Sequence, residues 1–362
     1  MKALVIVPDV VPYGGTSRFL ERLLEIHVRQ VIVTTLLVPT NQSHTLLVSL
    51  AERYRVQIVQ SPNRSVSDTP PFMTPLFDFL FSWRTVCSCR PDLIVVSTSD
   101  PGRMSVALYY PFPVLYILHS VPEHRFRFLP KCYLRLGMLL NNMLMTVSKA
   151  AAEAISHVMG IPKEEIAVVH NSCRSVKLAA DIRQPVVLTV GHVVPYKNPA
   201  GWLAVAQMVI KARPEVFFVW VGDGELYDSM RAQIIALGLK DRIKFTGFYA
   251  NPSTWYEKSQ FYFQPSLRES HGIAVLEAMA NGLPCVVADT GGLPESVVDG
   301  ETGYVCSNAD PAAFAKRIIE LLDDPALRER MGAAGRRRVK KCFSEEIQEQ
   351  KIMALYERLK KR

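Results

Sequence analysis

Short aliphatic and β-branched runs recur along this chain, and longer amphipathic or turn-bounded stretches fill the intervals between them. In the first half the runs are ALVIV, QVIVTTLLV, VQIV, DLIVVS, VLYIL, LMTV and IAVV. Nearly continuous apolar runs of this length suit strands buried on both faces. Their alternation with helix-length intervals is the pattern of repeated βα units around a parallel sheet. A polar stretch, RSVKLAADIRQP, interrupts the alternation after residue 174 and ends on Pro185. The alternation then restarts with VVLTVG, a helix over about 199–212, EVFFVWVG, a helix over about 226–237, and the strands RIKFTG, FYFQP, PCVVAD and GYVC. A charged helical tail follows from about Asp310. The pattern predicts an α/β chain of two Rossmann-like, doubly wound domains facing a central cleft. Their expected bounds are 1–174 and 186–342, with a linker over 175–185 and a closing helix over 343–362 that packs back on the N-terminal domain.

Length and composition agree with that reading and remove several others. The 362 residues exceed one ordinary domain of roughly 100–200 residues, and 49% hydrophobic content fills a core, which excludes a disordered chain. The opening MKALVIV runs into Pro8 and Asp9 rather than a small-residue cleavage site, so it reads as a buried strand and not as a signal peptide. LRLGMLLNNMLMTV is interrupted by Gly137, Asn141 and Asn142 and is too short to span a bilayer. Seven scattered cysteines, with Cys87 and Cys89 in C-x-C rather than C-x-x-C spacing, read as reduced core thiols of a cytoplasmic protein. The net charge of +8 favours an anionic partner without naming it. The basic residues form no stripe with a nucleic-acid reading motif, so nucleic acid is not expected as a partner.

Open parallel sheets bind ligands beyond the carboxyl ends of their strands, which makes the loops there the place to look for chemistry. The first strand is followed by Gly14 and Gly15 directly before a helix, a place where backbone N–H groups favour an anion, although an ordinary glycine turn reads the same way. VLYIL ends in His119, a residue that hydrogen-bonds or carries charge near neutral pH and that often serves structure alone. VVLTVG is followed by His192 and Lys197 just ahead of a helix, where a lysine suits a phosphate. In VGDGEL, Gly222 and Gly224 allow a tight turn, and Asp223 and Glu225 are expected in the first turn of the next helix, a structural reading.

The most distinctive stretch is RESHGIAVLEAMANGLPCVVADTGGLPE, with Glu269 in a loop and Glu277 inside the following helix. The free N–H groups of Gly272, Ile273 and Ala274 suit a phosphate at the helix start. Carboxylates repel phosphate and accept hydrogen bonds from hydroxyls, so acids beside such a helix fit a ligand with hydroxyls next to a phosphate pair, as in a nucleotide sugar. The alternatives are the acid and base of a hydrolase, or a capping and surface role.

These residues together resemble the retaining GT-B glycosyltransferases of family four, the glycogen-synthase-like group. The resemblance covers nearly the whole chain and is strongest over Val186–Tyr304, where Glu269 and Glu277 form the E-x7-E element. It implies a metal-independent hexosyltransferase of polysaccharide biosynthesis that needs no cofactor beyond a UDP- or GDP-sugar as co-substrate, and the chain carries no D-x-D metal motif. His119, Lys197 and Glu269 would serve the chemical step. The donor would be held by Gly14, Gly15, His192, Lys197, Gly247, Phe248, Glu269, His271, Gly272, Ile273, Ala274 and Glu277. In that arrangement Glu269 holds sugar hydroxyls, Glu277 the ribose, Lys197 the leaving diphosphate, and the backbone around Gly247 and Phe248 the base. The family commonly has Arg where this chain has His192, a weaker and pH-dependent cation that either serves less well there or is replaced by Arg18 or another group, and commonly Pro-Phe where it has Ser270-His271. The changed cation keeps two alternatives open: a nucleotide-sugar-binding protein of other activity, such as an epimerase, or one without catalysis. A phosphorylase lacks a cofactor-bearing lysine context. The acceptor is expected to be a saccharide or lipid-linked saccharide. EHRFRFLPKCYLRLGMLLNNMLM, with Arg125, Arg127, Lys131 and Arg135 among large apolar residues, suits an anionic membrane surface and equally a core helix with snorkelling charges. RRRVKK, residues 336–341, reads as a solvated helix face.

Overall fold

A computed structural model describes residues 1–8, 14–39, 45–61, 74–99, 110–120, 132, 135–138, 140, 142–174, 185–249 and 251–361. The expected linker up to residue 184 and most of the basic-apolar stretch that starts at Glu123 lie outside the described residues. The chain divides into two units, the first formed by Met1–His170 with Glu349–Arg362 and the second by Asn171–Gln348.

In the first unit the strands are β1 (Lys2–Ile6), β2 (Val33–Pro39), β3 (Gln57–Ser61), β4 (Leu93–Thr98), β5 (Val114–Leu118), β6 (Met143–Thr146) and β7 (Ile166–Val168). They form one parallel sheet in the order β3-β2-β1-β4-β5-β6-β7. The helices α1 (Gly15–Arg29), α2 (Thr45–Tyr54), α3 (Thr74–Cys89) and α4 (Lys149–Met159) are the crossovers. Side chains alternate between the two faces of a strand. Ala3, Val5 and Val7 accordingly belong to one apolar cluster with α1, while Leu4 and Ile6 belong to another with Phe81, Val86 and α4. On β1, β4 and β5 both faces are buried, which is why these strands lack polar alternation, whereas no residue of the edge strand β3 is buried.

The second unit repeats the scheme with β8 (Val186–Val190), α5 (Pro199–Ala212), β9 (Phe217–Val221), α6 (Tyr227–Ala236), β10 (Ile243–Phe245), α7 (Ser253–Lys258), β11 (Phe261–Gln264), α8 (Ile273–Ala280), β12 (Cys285–Ala288), α9 (Leu293–Ser296), β13 (Gly303–Cys306), α10 (Pro311–Asp323) and α11 (Pro325–Cys342). Its parallel sheet runs β10-β9-β8-β11-β12-β13, so the winding reverses between β8 and β11. Asp223 and Glu225 stand before α6 rather than in its first turn, because that helix starts at Tyr227 and Asp228 takes the place beside its free N–H groups. Asp223 instead accepts the Gly224 N–H at 2.7 Å, closing the turn. All seven cysteines are free: Cys285 and Cys306 are buried in the core, Cys89, Cys173 and Cys342 pack half-buried against apolar clusters, and Cys87 is exposed, which departs from a core thiol.

The final helix, α12 (Glu345–Lys360), starts in the second unit and continues in the first. Ile352, Leu355, Tyr356 and Leu359 recur at i, i+3, i+4 and i+7, one apolar stripe, and all four join the α1 cluster. A buried polar link fixes the stripe's register. His27 of α1 bonds Thr34 Oγ1 through Nδ1 and the Tyr356 hydroxyl through Nε2, each at 2.8 Å. Arg22 and Arg29 reach Glu349 at 3.4 Å and 3.3 Å. Burial pushes the His27 pKa down to about 4, so the ring is neutral inside the fold. The unfolded chain takes up that proton near 6.5, so between about 6.5 and about 4 the unfolded state binds more protons and folding weakens as pH falls. Urea midpoints measured from pH 7.5 to 4.5 are expected to decline through this window, and more shallowly in His27→Gln. An identical slope in the variant would contradict the neutral buried ring.

Candidate functional site

In the second unit, residues from the ends of β8 and β11 converge because these strands are adjacent and parallel at the point where the winding reverses. After β8 a 3₁₀ turn, Pro195–Lys197, leads into α5, whose N-cap Asn198 accepts the Gly201 N–H at 3.0 Å. The backbone of this turn is stitched to the loop after β11, with Leu267 N–H donating to Tyr196 O at 2.8 Å. The stitch places Lys197 against Glu269, 72 residues away, as an ion pair whose side chains are only 16% and 13% exposed. Glu269 Oε2 also accepts the Gln264 amide at 2.7 Å. Both bonds fall on Oε2, and Oε1 accepts none from a described residue.

The backbone of Glu269 is fixed from the other side, since its carbonyl accepts the Gly292 N–H at 3.1 Å. At Gly291, φ is +54°, and a methyl group there would overlap the same carbonyl oxygen. Only glycine allows this approach. Gly272 caps α8 with φ of +84°, and no side chain caps the helix. Ile273 and Ala274 are therefore its first two residues, whose N–H groups have no intrahelical partner. Within α8, Glu277 accepts the buried Tyr256 hydroxyl on Oε2 at 2.9 Å. Tyr256 comes from α7 and also lies 3.3 Å from Ala274 O, so it ties the acid to the helix's first turn.

His271 is placed differently from its neighbours. Its side chain is 1% exposed, with Nε2 3.5 Å from Ser296 Oγ and the ring edge-on to Phe343. His192 lies half-buried in the loop after β8. Gly247 follows β10 and bridges Gly222 after β9, and Gly222 in turn lies so close to Gly191 O that a methyl group would overlap it. The loops after β8, β9 and β10 are thus stitched side by side, and Phe248 projects from their edge, 42% exposed.

In the first unit the ends of β1, β4 and β5 gather a second polar group. Gly14 is the N-cap of α1 with φ of +123°, and Gly15 opens the helix. Thr16 Oγ1 lies 3.4 Å from Ser99 Oγ, and the His119 Nε2 lies 2.9 Å from Ser97 Oγ. Phe19 stands edge-on to the His119 ring at 4.8 Å. Burial pushes His119 down to about 4, so at neutral pH it exchanges hydrogen bonds and carries no charge. Arg18 is engaged with Glu21 at 3.8 Å. Ser97, Tyr256, Gln264 and Gly291 were not identified from the sequence. The readable signals were a glutamine closing the aromatic strand FYFQ and a double glycine after a strand.

The profile described as "Glycosyl transferases group 1" matches residues 175–338, and that described as "Glycosyltransferase Family 4" matches residues 13–173. The chain belongs to the group 1 glycosyltransferases. Its curated relatives include a D-inositol 3-phosphate glycosyltransferase of Streptomyces avermitilis, 33% identical over 43% of this chain. Another is the lipopolysaccharide core biosynthesis mannosyltransferase LpcC of Rhizobium leguminosarum, 36% identical over 36% of this chain. The matches span 36% and 38% of those relatives' lengths. Among solved structures, a glycosyltransferase from Rickettsia africae superposes with a TM-score of 0.83 at 16% identity, covering 99% of this chain and 98% of that one. Anabaena Alr3699/HepE in complex with UDP superposes with 0.80 at 21% identity, covering 99% and 100%. These likenesses show the GT-B fold for this group 1 glycosyltransferase chain. Among the described residues, no helix is long and apolar enough to cross a membrane.

Gly291→Ala tests the pinned carbonyl. The added methyl group forces the backbone of either loop to shift, and the expected loss of stability is roughly 2 kcal/mol, read as a lowered urea midpoint. An unchanged midpoint would show that the loops are not held this tightly.

Proposed function

We propose that this protein transfers a sugar, with retained anomeric configuration, from a nucleotide sugar to a hydroxyl of a lipid-linked or surface saccharide. The observation that carries the proposal is the Lys197–Glu269 pair at the mouth of an uncapped helix, α8. A cation and free N–H groups favour a diphosphate, and an acid whose Oε1 is engaged by no described residue accepts hydroxyls, so one ligand with both groups answers the whole arrangement. In this reading Glu269 binds the hydroxyls of the transferred sugar and Glu277 those of the ribose. The N–H groups of Gly272, Ile273 and Ala274 meet the diphosphate, and the exposed edge at Gly247 and Phe248 meets the base. His192 lends a hydrogen bond near the diphosphate. In the first unit, the N-terminus of α1 at Gly14 and Gly15 offers N–H groups to an anion, and neutral His119 offers a hydrogen bond to a sugar hydroxyl.

The main demand of such a transfer is charge growing on the leaving diphosphate while the acceptor hydroxyl attacks from the same face and passes its proton to a phosphate oxygen. Fixed N–H groups and a lysine stabilise that charge without having to reorganise. Lys197 and Glu269 neutralise each other, and a diphosphate, bearing more than one negative charge, competes with the carboxylate for the ammonium group. A lipid-linked or surface acceptor is supported by the name of the lipopolysaccharide core mannosyltransferase. It is also supported by the name of a GDP-mannose-dependent phosphatidylinositol monomannoside mannosyltransferase from Corynebacterium glutamicum, 31% identical over 49% of this chain. Such an acceptor would bring the protein to the inner, anionic face of a membrane.

Melting temperatures with UDP, GDP, ADP and their sugars are expected to rise for one nucleotide class, because binding to the folded state alone stabilises it. Glu269→Gln is expected to keep that stabilisation by the nucleoside diphosphate while turnover of the nucleotide sugar drops roughly 100-fold. Equal loss of both would remove the sugar-side role from Glu269, and stabilisation of the wild type without turnover on any saccharide or lipid extract would favour a protein that only binds.

A further inference from the structure

Strand β11 carries Phe261, Tyr262, Phe263 and Gln264, and all four are buried. Tyr262 and Gln264 share a face, being two residues apart. Their polar ends meet, with the Tyr262 hydroxyl 2.8 Å from Gln264 Oε1 and 3.1 Å from Val190 O. The Gln264 amide nitrogen then donates to Ser266 Oγ at 3.1 Å and to Glu269 Oε2 at 2.7 Å. A polar string therefore runs from the end of β8 through β11 to the carboxylate.

The direction of this string follows from the chemistry of its ends. An ionised carboxylate only accepts, so the amide nitrogen faces Glu269, and the phenol donates to the amide oxygen left on the other side. Gln264 is thus held at both ends. Buried phenol and amide groups cost free energy to desolvate, and apolar side chains would fill the same space without that cost, so stability alone does not account for the pair. What the pair achieves is directional: Oε2 is engaged by Gln264 and Lys197, which turns Oε1 away from both.

We infer that Gln264, oriented by Tyr262, is the positioning residue for Glu269 and sets the angle at which its carboxylate meets the hydroxyls of the transferred sugar. The inference rests on the glycosyl-transfer reading and adds the group that governs turnover separately from nucleotide affinity. Gln264 touches no part of the ligand itself. Its effect passes through the Glu269 carboxylate.

Three substitutions in the full chain test this: Gln264→Met, Gln264→Glu and Tyr262→Phe. Each is assayed by release of nucleoside diphosphate from whichever sugar of UDP, GDP or ADP the wild type turns over, together with melting temperature with and without that diphosphate. Gln264→Met keeps the chain's shape and removes the donor. It is expected to lower kcat roughly 10- to 100-fold and to leave stabilisation by the free diphosphate unchanged. Tyr262→Phe keeps the ring and frees Gln264 at one end, and is expected to lower kcat several-fold with the same retained binding. In Gln264→Glu two carboxyl groups stand side by side, and Lys197 offsets only one of the two charges, so their shared titration moves up in pH. Protonated, the new carboxyl donates one hydrogen bond as the amide does, so the variant is expected to approach wild-type turnover at low pH and to lose it as pH rises. Wild-type kcat in Gln264→Met, or a wild-type pH profile in Gln264→Glu, overturns the inference alone. So does a joint loss of stability, diphosphate binding and turnover in both Gln264→Met and Tyr262→Phe, which is the mark of a merely structural residue. A wild type that is neither stabilised by any of the three nucleotides nor active on their sugars overturns the transfer reading, and this inference with it.

Discussion

The pairing of β8 with β11 is the constraint on which the second unit depends. Phe261 and Tyr262 register with Val187 and Leu188 in parallel, although the two strands lie more than seventy residues apart in the chain. Parallel neighbours end on the same side of the sheet, so the loops that follow them must meet. The meeting is then reinforced by short backbone bonds, Leu267 to Tyr196 on one flank and Gly292 to Glu269 on the other. Lys197 and Glu269 are brought together as a consequence, and the ion pair contributes precision more than net stability, since both charges lose solvation on being largely buried.

The acids at this place are held by groups that bury well. Tyr256 reaches Glu277 from α7, and Gln264 reaches Glu269 from β11, and the rings of Tyr256 and Tyr262 stand 6.3 Å apart. Burial pushes both phenols well above their ordinary range, so they remain protonated donors at any working pH. A protonated phenol in a packed aromatic layer has a fixed direction, which is what a carboxylate needs if it is to meet a ligand in one geometry. Trp202, Trp220 and Phe245 extend the aromatic core under the same sheet, and Trp220 Nε1 donates to Gly191 O at 2.9 Å to steady the loop after β8.

The first unit shows the same logic with less charge. His119 ends β5 between Ser97 and Phe19, buried and neutral, so its use is confined to hydrogen bonding. His27 is buried in the same protonation state for a different purpose, linking α1 to the chain's last helix. Two histidines of one unit, one on α1 and one just after β5, thus have similar electrostatics and distinct neighbours. Burial decides the charge, and position decides the use.

Hydrophobic pattern alone was enough to locate the thirteen strands of the described residues, because most of them are buried on both faces and so nearly apolar throughout, while the helices between them are not. The glycines at 14 and 272 and the acids at 269 and 277 were also legible as residue types, and those acids and the glycine before α8 carried the family resemblance. The sequence could not say which groups hold those acids. Gln264 reads as an ordinary strand end and Tyr256 as an ordinary core aromatic, and nothing in the loop sequence shows that the His271 ring is buried against Phe343. Periodicity reports which face of an element is apolar, and this is a local property. Which polar tips touch depends on strand order and on loop contacts between residues far apart in the chain, and the tertiary structure alone decides that.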